Sequence, residues 1–199
     1  MVKPIRRRAW PLLLSAALTA APAADAPPSG TIGFDPARSR ADFEVKVLWL
    51  VGLHGNFGAV QGSVSLDPAS GLARVEALID TSALHMRSRS YENWAKSTEF
   101  FDTEDYPRIG FVSSTFPPAI LVGGGQIDGT LTIRGISRPV TLHVTAADCA
   151  DPLDGGCAVA ASALIRRSDF GMRSRRGALS DKVELDLSIH VAVAAAPAQ

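Results

Sequence analysis

The feature that most restricts the fold of this chain is an alternation of apolar and polar residues with a period of two. In GTLTIRGISRPVTLHVTA, residues 129–146, Leu131 and Ile133 alternate with threonines, and after a short turn a second apolar series begins at Val140. Successive side chains of a β-strand point to opposite faces, so the stretch predicts a hairpin with one apolar face. That face either packs against other side chains or lines a space that a ligand fills.

The same alternation marks both ends of the predicted domain. It runs from Phe43 to Val47 and again from Val183 to Val191, so both terminal strands are expected to be half-buried. Counting these, the sequence predicts about eight strands with turn sequences between most of them, which is typical of an antiparallel barrel or sandwich. A short strand near 32–34 is a further candidate. The other predicted strands are 56–67, 72–80, 108–116, 120–134, 139–147 and 157–166.

One segment, residues 89–107, interrupts the strand pattern. Residues 92–96 are in helix-compatible order, and Pro107 stops a helix before the next strand. The segment therefore predicts one or two short helices across one end of the β structure. We interpret its aromatic residues as a plug of core, with a ligand cage as the alternative; they are Tyr91, Trp94, Phe100 and Phe101.

The N-terminus predicts an exported protein. One Lys and three Arg precede an apolar run from Ala9 to Leu18, and Ala21-Pro22-Ala23 fits a signal peptidase site. The run is too short for a membrane anchor. We therefore expect a signal peptide at 1–23, a flexible leader at 24–30 and a β domain at 31–195. Both the general secretory and the twin-arginine routes fit.

Removal of the signal peptide leaves an acidic chain. It has 16 Lys and Arg against 20 Asp and Glu, a formal charge of −4. Proteins devoted to nucleic acid need a basic face, so no nucleic-acid partner is expected.

Two cysteines, Cys149 and Cys157, flank the turn-forming stretch ADPLDGG. In an oxidising compartment we expect them to form a disulfide across the base of a loop, where it stabilises the fold by roughly 2.5 kcal/mol. The alternative is a metal or redox pair, but the chain lacks the two-residue spacing and the further ligands of such sites. No metal is expected.

The residues alone leave a filled core and a cavity both open. A barrel of about eight strands is either just filled by its side chains or able to hold one ligand. In AVAASALI, residues 158–165, alanines occur on both faces and fill little of the interior. Aromatic residues of neighbouring strands could fill the rest.

Three motifs, in order and at suitable intervals, carry a resemblance to a known family: FFDTEDYPRIGF at 100–111, GTLTIRGISRPVTL at 129–142 and SDFGM at 168–172. With the segments around them, the mature chain resembles the YceI family of exported polyisoprenoid-binding proteins. The resemblance implies an all-β, eight-stranded, lipocalin-like antiparallel barrel. It also implies a tubular apolar interior that holds an isoprenoid chain, such as a quinone tail or a prenyl lipid. Many relatives carry His at the position of Val47, so the head group is not specified.

The leading hypothesis is therefore a periplasmic binding or carrier protein for an isoprenoid lipid or quinone, with no chemical step and no cofactor. Burial of the tail would supply the binding free energy, at about 25 cal/mol per Å². Transient membrane contact and a homodimer are left open. From strand phase and aromatic content, the predicted cavity-lining residues are Phe43, Val45, Val47, Phe57, Trp94, Phe101, Phe111, Leu131 and Ile133.

Arginines bracket the SDFGM motif. Arg173 and Arg175 are candidates for contact with a phosphate or carboxylate head group, because guanidinium groups bind such anions in a bidentate manner. The alternative is a solvated loop, partly neutralised by acids such as Asp169 and Asp181.

Two other functions compete with a carrier: an enzyme that acts on a small lipid in the same cavity, and a non-liganded interaction module of a redox or stress system. The chain has no nucleophile elbow, zinc-protease, P-loop or dinucleotide motif, and no catalytic residue is predicted. The histidines are spread singly, at His54, His85, His143 and His190.

Overall fold

The computed structural model describes residues 30–175 and 177–192, and in this part of the chain it contains a single antiparallel sheet of eleven strands. This confirms the all-β class and the curled, barrel-like architecture. The predicted signal peptide, 1–23, and leader residues 24–29 lie outside the described residues, as do 193–195 at the predicted end of the domain.

The strands follow the chain in the order β1 to β11, with helix α1 between β6 and β7 and helix α2 between β7 and β8. The strand bounds are β1 Gly30–Gly33, β2 Arg40–Val47, β3 Val51–Gly58, β4 Gln61–Asp67, β5 Leu72–Asp80, β6 Leu84–Met86, β7 Arg108–Ser113, β8 Gly125–Ile133, β9 Ile136–Val144, β10 Val159–Arg166 and β11 Leu179–Ile189. The helices are α1 Arg89–Lys96 and α2 Ala119–Gly123.

β3 and β4 are two halves of one bent strand. β3 pairs with β2, whereas β4 pairs with β5, and Ala59 between them has a φ of 55°. Since the remaining order is β5-β7-β8-β9-β10-β11-β2, the sheet returns on itself through this bend. Counted with β3 and β4 as one, eight strands form the wall, and they correspond to the eight predicted ones. β1 and β6 are short additions at the sheet edges.

The predicted strand 120–134 begins later than expected. Its first residues belong to α2, and the strand starts at Gly125. Two prolines, Pro117 and Pro118, precede the helix, and Gly124, with a φ of 79°, ends it. In the segment 89–107, the one helix is α1; turns follow it.

The barrel has two distinct ends. At one end, here the α1 end, lie the β2–β3 turn, the β8–β9 turn and the loop 167–178. The register places them together, because Val47 pairs with Leu179 and Arg166 with Lys182. The opposite end, here the α2 end, holds α2 and the segment between β9 and β10. A bond between Cys149 and Cys157 closes that segment, which confirms the predicted disulfide.

Candidate functional site

The apolar face of the sheet surrounds a cavity of about 190 Å³, and the accessible wall of this cavity is apolar. The face that the hairpin at 129–146 presents therefore lines a space. Apolar cavities of about 150 Å³ in other proteins stay dry and take up small hydrophobic guests. This cavity is large enough to hold part of a hydrocarbon chain.

The cavity is elongated along the strands. On β11 and just beyond it, alternate residues from Val183 to Val191 line the cavity. Eight residue steps of an extended strand span roughly 25 Å. Lining residues also come from both ends, with Tyr91 and Trp94 at the α1 end and Leu121 and Leu153 at the α2 end. The shape suits a long, narrow ligand.

Small side chains on the inward face leave this space open. Ala161, from the alanine-rich strand noted in the sequence, lines the cavity together with Ala41 and Ala77. Larger residues at these positions would occupy the middle of the barrel. The cavity is therefore a direct result of the small residues in the wall.

Aromatic rings form the wall toward the α1 end. Phe101 makes edge-on contacts with Phe43 at 5.7 Å and Phe57 at 5.3 Å between ring centroids. Gly55 faces Phe43 across the β2–β3 pair, and a Cβ atom there would approach the Phe43 ring to 2.2 Å. Phe43 can lie flat against the sheet because Gly55 has no side chain.

The mouth of the cavity lies beside α1. Tyr91 lines the cavity and yet is 46% exposed, so it marks a place where the cavity meets solvent. Trp94, on the same helix, packs against Phe100 with ring centroids 4.5 Å apart. Phe100 is buried in the core and Trp94 and Phe101 pack against it, as the predicted plug requires, whereas Tyr91 is exposed. All four aromatic residues line the cavity.

Glu92 holds α1 against the sheet. Its carboxylate accepts hydrogen bonds from Lys96 Nζ at 2.9 Å and from the backbone N–H of Met86 at 3.1 Å, and it lies 3.5 Å from His85 Nδ1. The hydrogen bonds from Lys96 and Met86 lower the pKa of Glu92 to about 2. The charged carboxylate therefore links α1 to β6 above acidic pH.

Eight of the nine predicted lining residues lie on the cavity wall. The ninth, Val47, is half-buried at the end of β2 and does not line it. The sequence reasoning missed the α2 end of the cavity, where Phe34, Leu121 and Leu153 contribute. These residues lie outside the regular strands, where period-two alternation gives no signal.

The arginines near SDFGM have different environments. Arg167 is buried, and its guanidinium donates to the carbonyls of Met172, Ser174, Leu179 and Ser180. It therefore fixes the course of the loop that follows. Arg173 and Arg175, the predicted head-group contacts, are exposed and lie outside the cavity wall, but the Arg175 guanidinium sits 5.3 Å from the centre of the Trp94 ring.

The histidines do not converge on the cavity. All four lie in the described part of the chain, and none of them lines the cavity. His190 is half-buried, and its pKa is lowered by burial.

Among residues 30–175 and 177–192, no group of three His, Cys, Asp or Glu is arranged to hold a metal ion. Nor does any helix of these residues have the length and apolar character needed to cross a bilayer.

Named relatives are similar to this chain in sequence, and one of them is similar in its solved structure. "Protein YceI" of Escherichia coli O157:H7 is 26% identical over 153 residues, which cover 74% of this chain and 78% of that protein. The crystal structure of BcnA from Burkholderia cenocepacia is 26% identical, with a TM-score of 0.63, and covers 80% of this chain and 99% of that one.

A more distant solved structure has the same fold. It is described as a polyisoprenoid binding domain from Saccharophagus degradans, implicated in plant cell wall breakdown. It is 15% identical to this chain, with a TM-score of 0.60, and covers 83% of this chain and 99% of that domain. At this identity the likeness concerns the fold alone. The model of the YceI-like domain matches residues 33–191, which is most of the chain and all of the barrel wall, and the protein therefore belongs to the YceI family.

Proposed function

We propose that this protein is a periplasmic carrier that holds a polyisoprenoid chain, the tail of a quinone or a prenyl lipid, in its barrel. The observation that carries the proposal is the elongated cavity of about 190 Å³ with an apolar wall. The solved relative from Saccharophagus degradans is described as a polyisoprenoid binding domain, and its fold matches this one.

The binding free energy comes from removing the tail from water. A tail that enters the space buries both its own surface and the apolar wall, at about 25 cal/mol per Å². The ordering of a flexible tail opposes both gains. Binding by burial alone is sufficient for a carrier.

The eight sequence-predicted residues on the cavity wall are the proposed contacts of the tail, whereas Val47 lies outside the wall. Arg173 and Arg175 are the proposed contacts of a charged head group. Arg175 stacks on Trp94, which lines the cavity, so a head group that emerges beside α1 would meet a cation there. A head group at the α1 end also agrees with the exposed Tyr91.

No bond has to change in this function. The disulfide fits an oxidising compartment, and the predicted signal peptide directs the chain to the periplasm. Transient contact with a membrane follows from the function, because a polyisoprenoid has to be loaded from a bilayer and returned to one.

The test is chemical identification of the guest. The protein is purified in its folded state without detergent, extracted with organic solvent and examined by mass spectrometry. A periplasmic protein of similar size, purified in the same way, serves as the control. We expect a prenyl lipid or quinone in near-stoichiometric amount. An extract without such lipids, or one no richer than the control, refutes the proposal.

A further inference from the structure

The β2–β3 turn and the first residue of β3 carry four consecutive apolar residues that the fold leaves in water. The exposed fractions are 57% for Leu48, 71% for Trp49, 88% for Leu50 and 60% for Val51. We call residues 48–51 the apolar tip. Single exposed apolar residues are common, but a contiguous patch at the end of a hairpin marks an interaction site.

The backbone of the apolar tip does not favour these side chains. Leu48 and Trp49 have φ values of 49° and 61°, and the N–H of Leu50 donates to the carbonyl of Val47 at 3.1 Å. Tight turns with two residues in the left-handed region favour Asn-Gly, because a residue with a Cβ atom is strained there. Neither the turn nor the core accounts for Leu and Trp at these positions.

The apolar tip lies at the same end of the barrel as the cavity mouth. The N–H of Leu48 donates to the carbonyl of Ala178 at 2.8 Å, which joins the tip to the loop 167–178. The other side of that loop contacts α1, through the stacking of Arg175 on Trp94. Tip, loop and mouth therefore form one end surface of the molecule.

Cations flank the apolar tip although the mature chain is acidic. Lys46 precedes the tip, and Arg173 and Arg175 project from the adjoining loop; all three are exposed. Two of these cations form salt bridges, Lys46 with Glu184 at 3.8 Å and Arg175 with Glu99 at 3.9 Å. Both pairs are exposed to solvent, where such pairs are weak. An exposed Trp beside Leu residues, with Lys and Arg around it, is the composition of surfaces that rest in the interface of an anionic bilayer.

We propose that the apolar tip inserts into the boundary between head groups and acyl chains of an anionic membrane. This orientation places the cavity mouth at the bilayer surface, where a polyisoprenoid can pass between membrane and barrel. The proposal rests on the proposed function for its purpose, but insertion of the tip can be measured without any bound lipid.

The decisive variant is Leu48→Asn/Trp49→Gly. It gives the turn the residues that its backbone favours, so the fold should be as stable as the wild type or more so. Binding to vesicles of phosphatidylethanolamine and phosphatidylglycerol is measured by flotation, on protein whose N-terminus has been determined by intact mass. We expect at least a tenfold loss of binding in the variant. Wild-type tryptophan emission should shift to the blue on vesicles and be quenched by bromine-labelled lipids.

A matched control is Val112→Ser, which removes an exposed apolar side chain from β7, away from the tip. This variant should bind vesicles as the wild type does. Equal vesicle binding by the wild type and the tip variant overturns the proposal, and so does a wild type that does not bind. A concentration-dependent dimer that the tip variant abolishes, without vesicle binding, assigns the tip to a second copy of the chain and also overturns it. Lipid extraction distinguishes the two proposals: a protein that purifies empty but binds vesicles through its tip contradicts only the carrier function.

Discussion

Replacing Ala161 by Leu adds three carbon atoms to a strand residue that faces the cavity. Burial of each carbon contributes about 0.8 kcal/mol, and ordering the Leu side chain costs about 0.5–1 kcal/mol. The cavity of about 190 Å³ accepts the added atoms without displacing neighbours. The delipidated variant should therefore gain about 1–2 kcal/mol in the free energy of unfolding, which corresponds to a rise of roughly 3–6 °C in Tm.

The same substitution should weaken binding of the lipid. The Leu side chain takes space that about three carbon atoms of the tail would occupy, so the tail loses about 2 kcal/mol of burial. That loss corresponds to a Kd roughly thirtyfold higher. Isothermal titration of the delipidated protein with a short prenol measures this change, and denaturant unfolding measures the stability.

Ala160→Leu provides the matched control. Ala160 is exposed on the outer face of the same strand, where Leu164 already stands 55% exposed. The control should change stability by less than about 0.5 kcal/mol and leave prenol binding unaltered. If Ala161→Leu instead destabilises the delipidated protein by a kilocalorie or more, the space is already filled and the reasoning from the cavity is wrong.

Three further predictions concern charges and the disulfide. Arg173→Gln/Arg175→Gln should weaken binding of a prenyl phosphate roughly tenfold while affinity for the matching prenol stays unchanged; equal losses in titrations with both would rule out the head-group contact. Cys149→Ser/Cys157→Ser should lower the free energy of unfolding by roughly 2.5 kcal/mol in non-reducing denaturant titrations, and an unchanged value would contradict it. The pKa of Glu92 is 4.5 when unperturbed and about 2 in the fold. The charged carboxylate therefore stabilises the fold fully above the unfolded-state pKa, and this stabilisation is lost as the pH falls toward 2. Glu92→Gln should therefore lower Tm at neutral pH and converge with the wild type near the folded pKa; a difference that persists there would show that the charge is not the cause.

The wall of the barrel was predictable because the direction of a strand side chain depends on local alternation. Phe43, Leu131 and Ile133 follow this alternation, and each lies on the cavity wall. The bend at Ala59 was not predicted: Gly58, which precedes it, is compatible with a regular strand, and nothing in the sequence requires the φ of 55° that Ala59 adopts. The sequence 56–67 therefore reads as one strand, although its two halves pair with different neighbours.

Helix α2 and the depth of the cavity needed three-dimensional information. A helix of five apolar residues, Ala119–Gly123, is too short to show a helical period and resembles a strand. Whether the barrel is filled depends on which small residues meet across the middle, such as Ala41, Ala77 and Ala161, which come from three strands. Composition showed that the alanines exist but not that they face one space.

The burial of Arg167 likewise could not be predicted from the local sequence. In the sequence Arg167 lies in a cluster with Arg166 and Arg173, and no local pattern distinguishes the three. In the fold, Arg167 is buried among backbone carbonyls whereas the other two are exposed. The difference depends on the loop that wraps around Arg167, which no local pattern reveals.

The two ends of the barrel are fastened by different kinds of bond. At the α2 end, Leu153 covers the cavity from within the loop that the Cys149–Cys157 bond closes, whereas at the α1 end the helix is held by Glu92 and by ring contacts. Non-covalent fastenings open locally at a lower free energy than the whole domain unfolds. Under the proposed carrier function, exit of a guest at the α1 end requires only local opening beside one short helix, whereas exit at the α2 end requires a covalently closed loop to move aside.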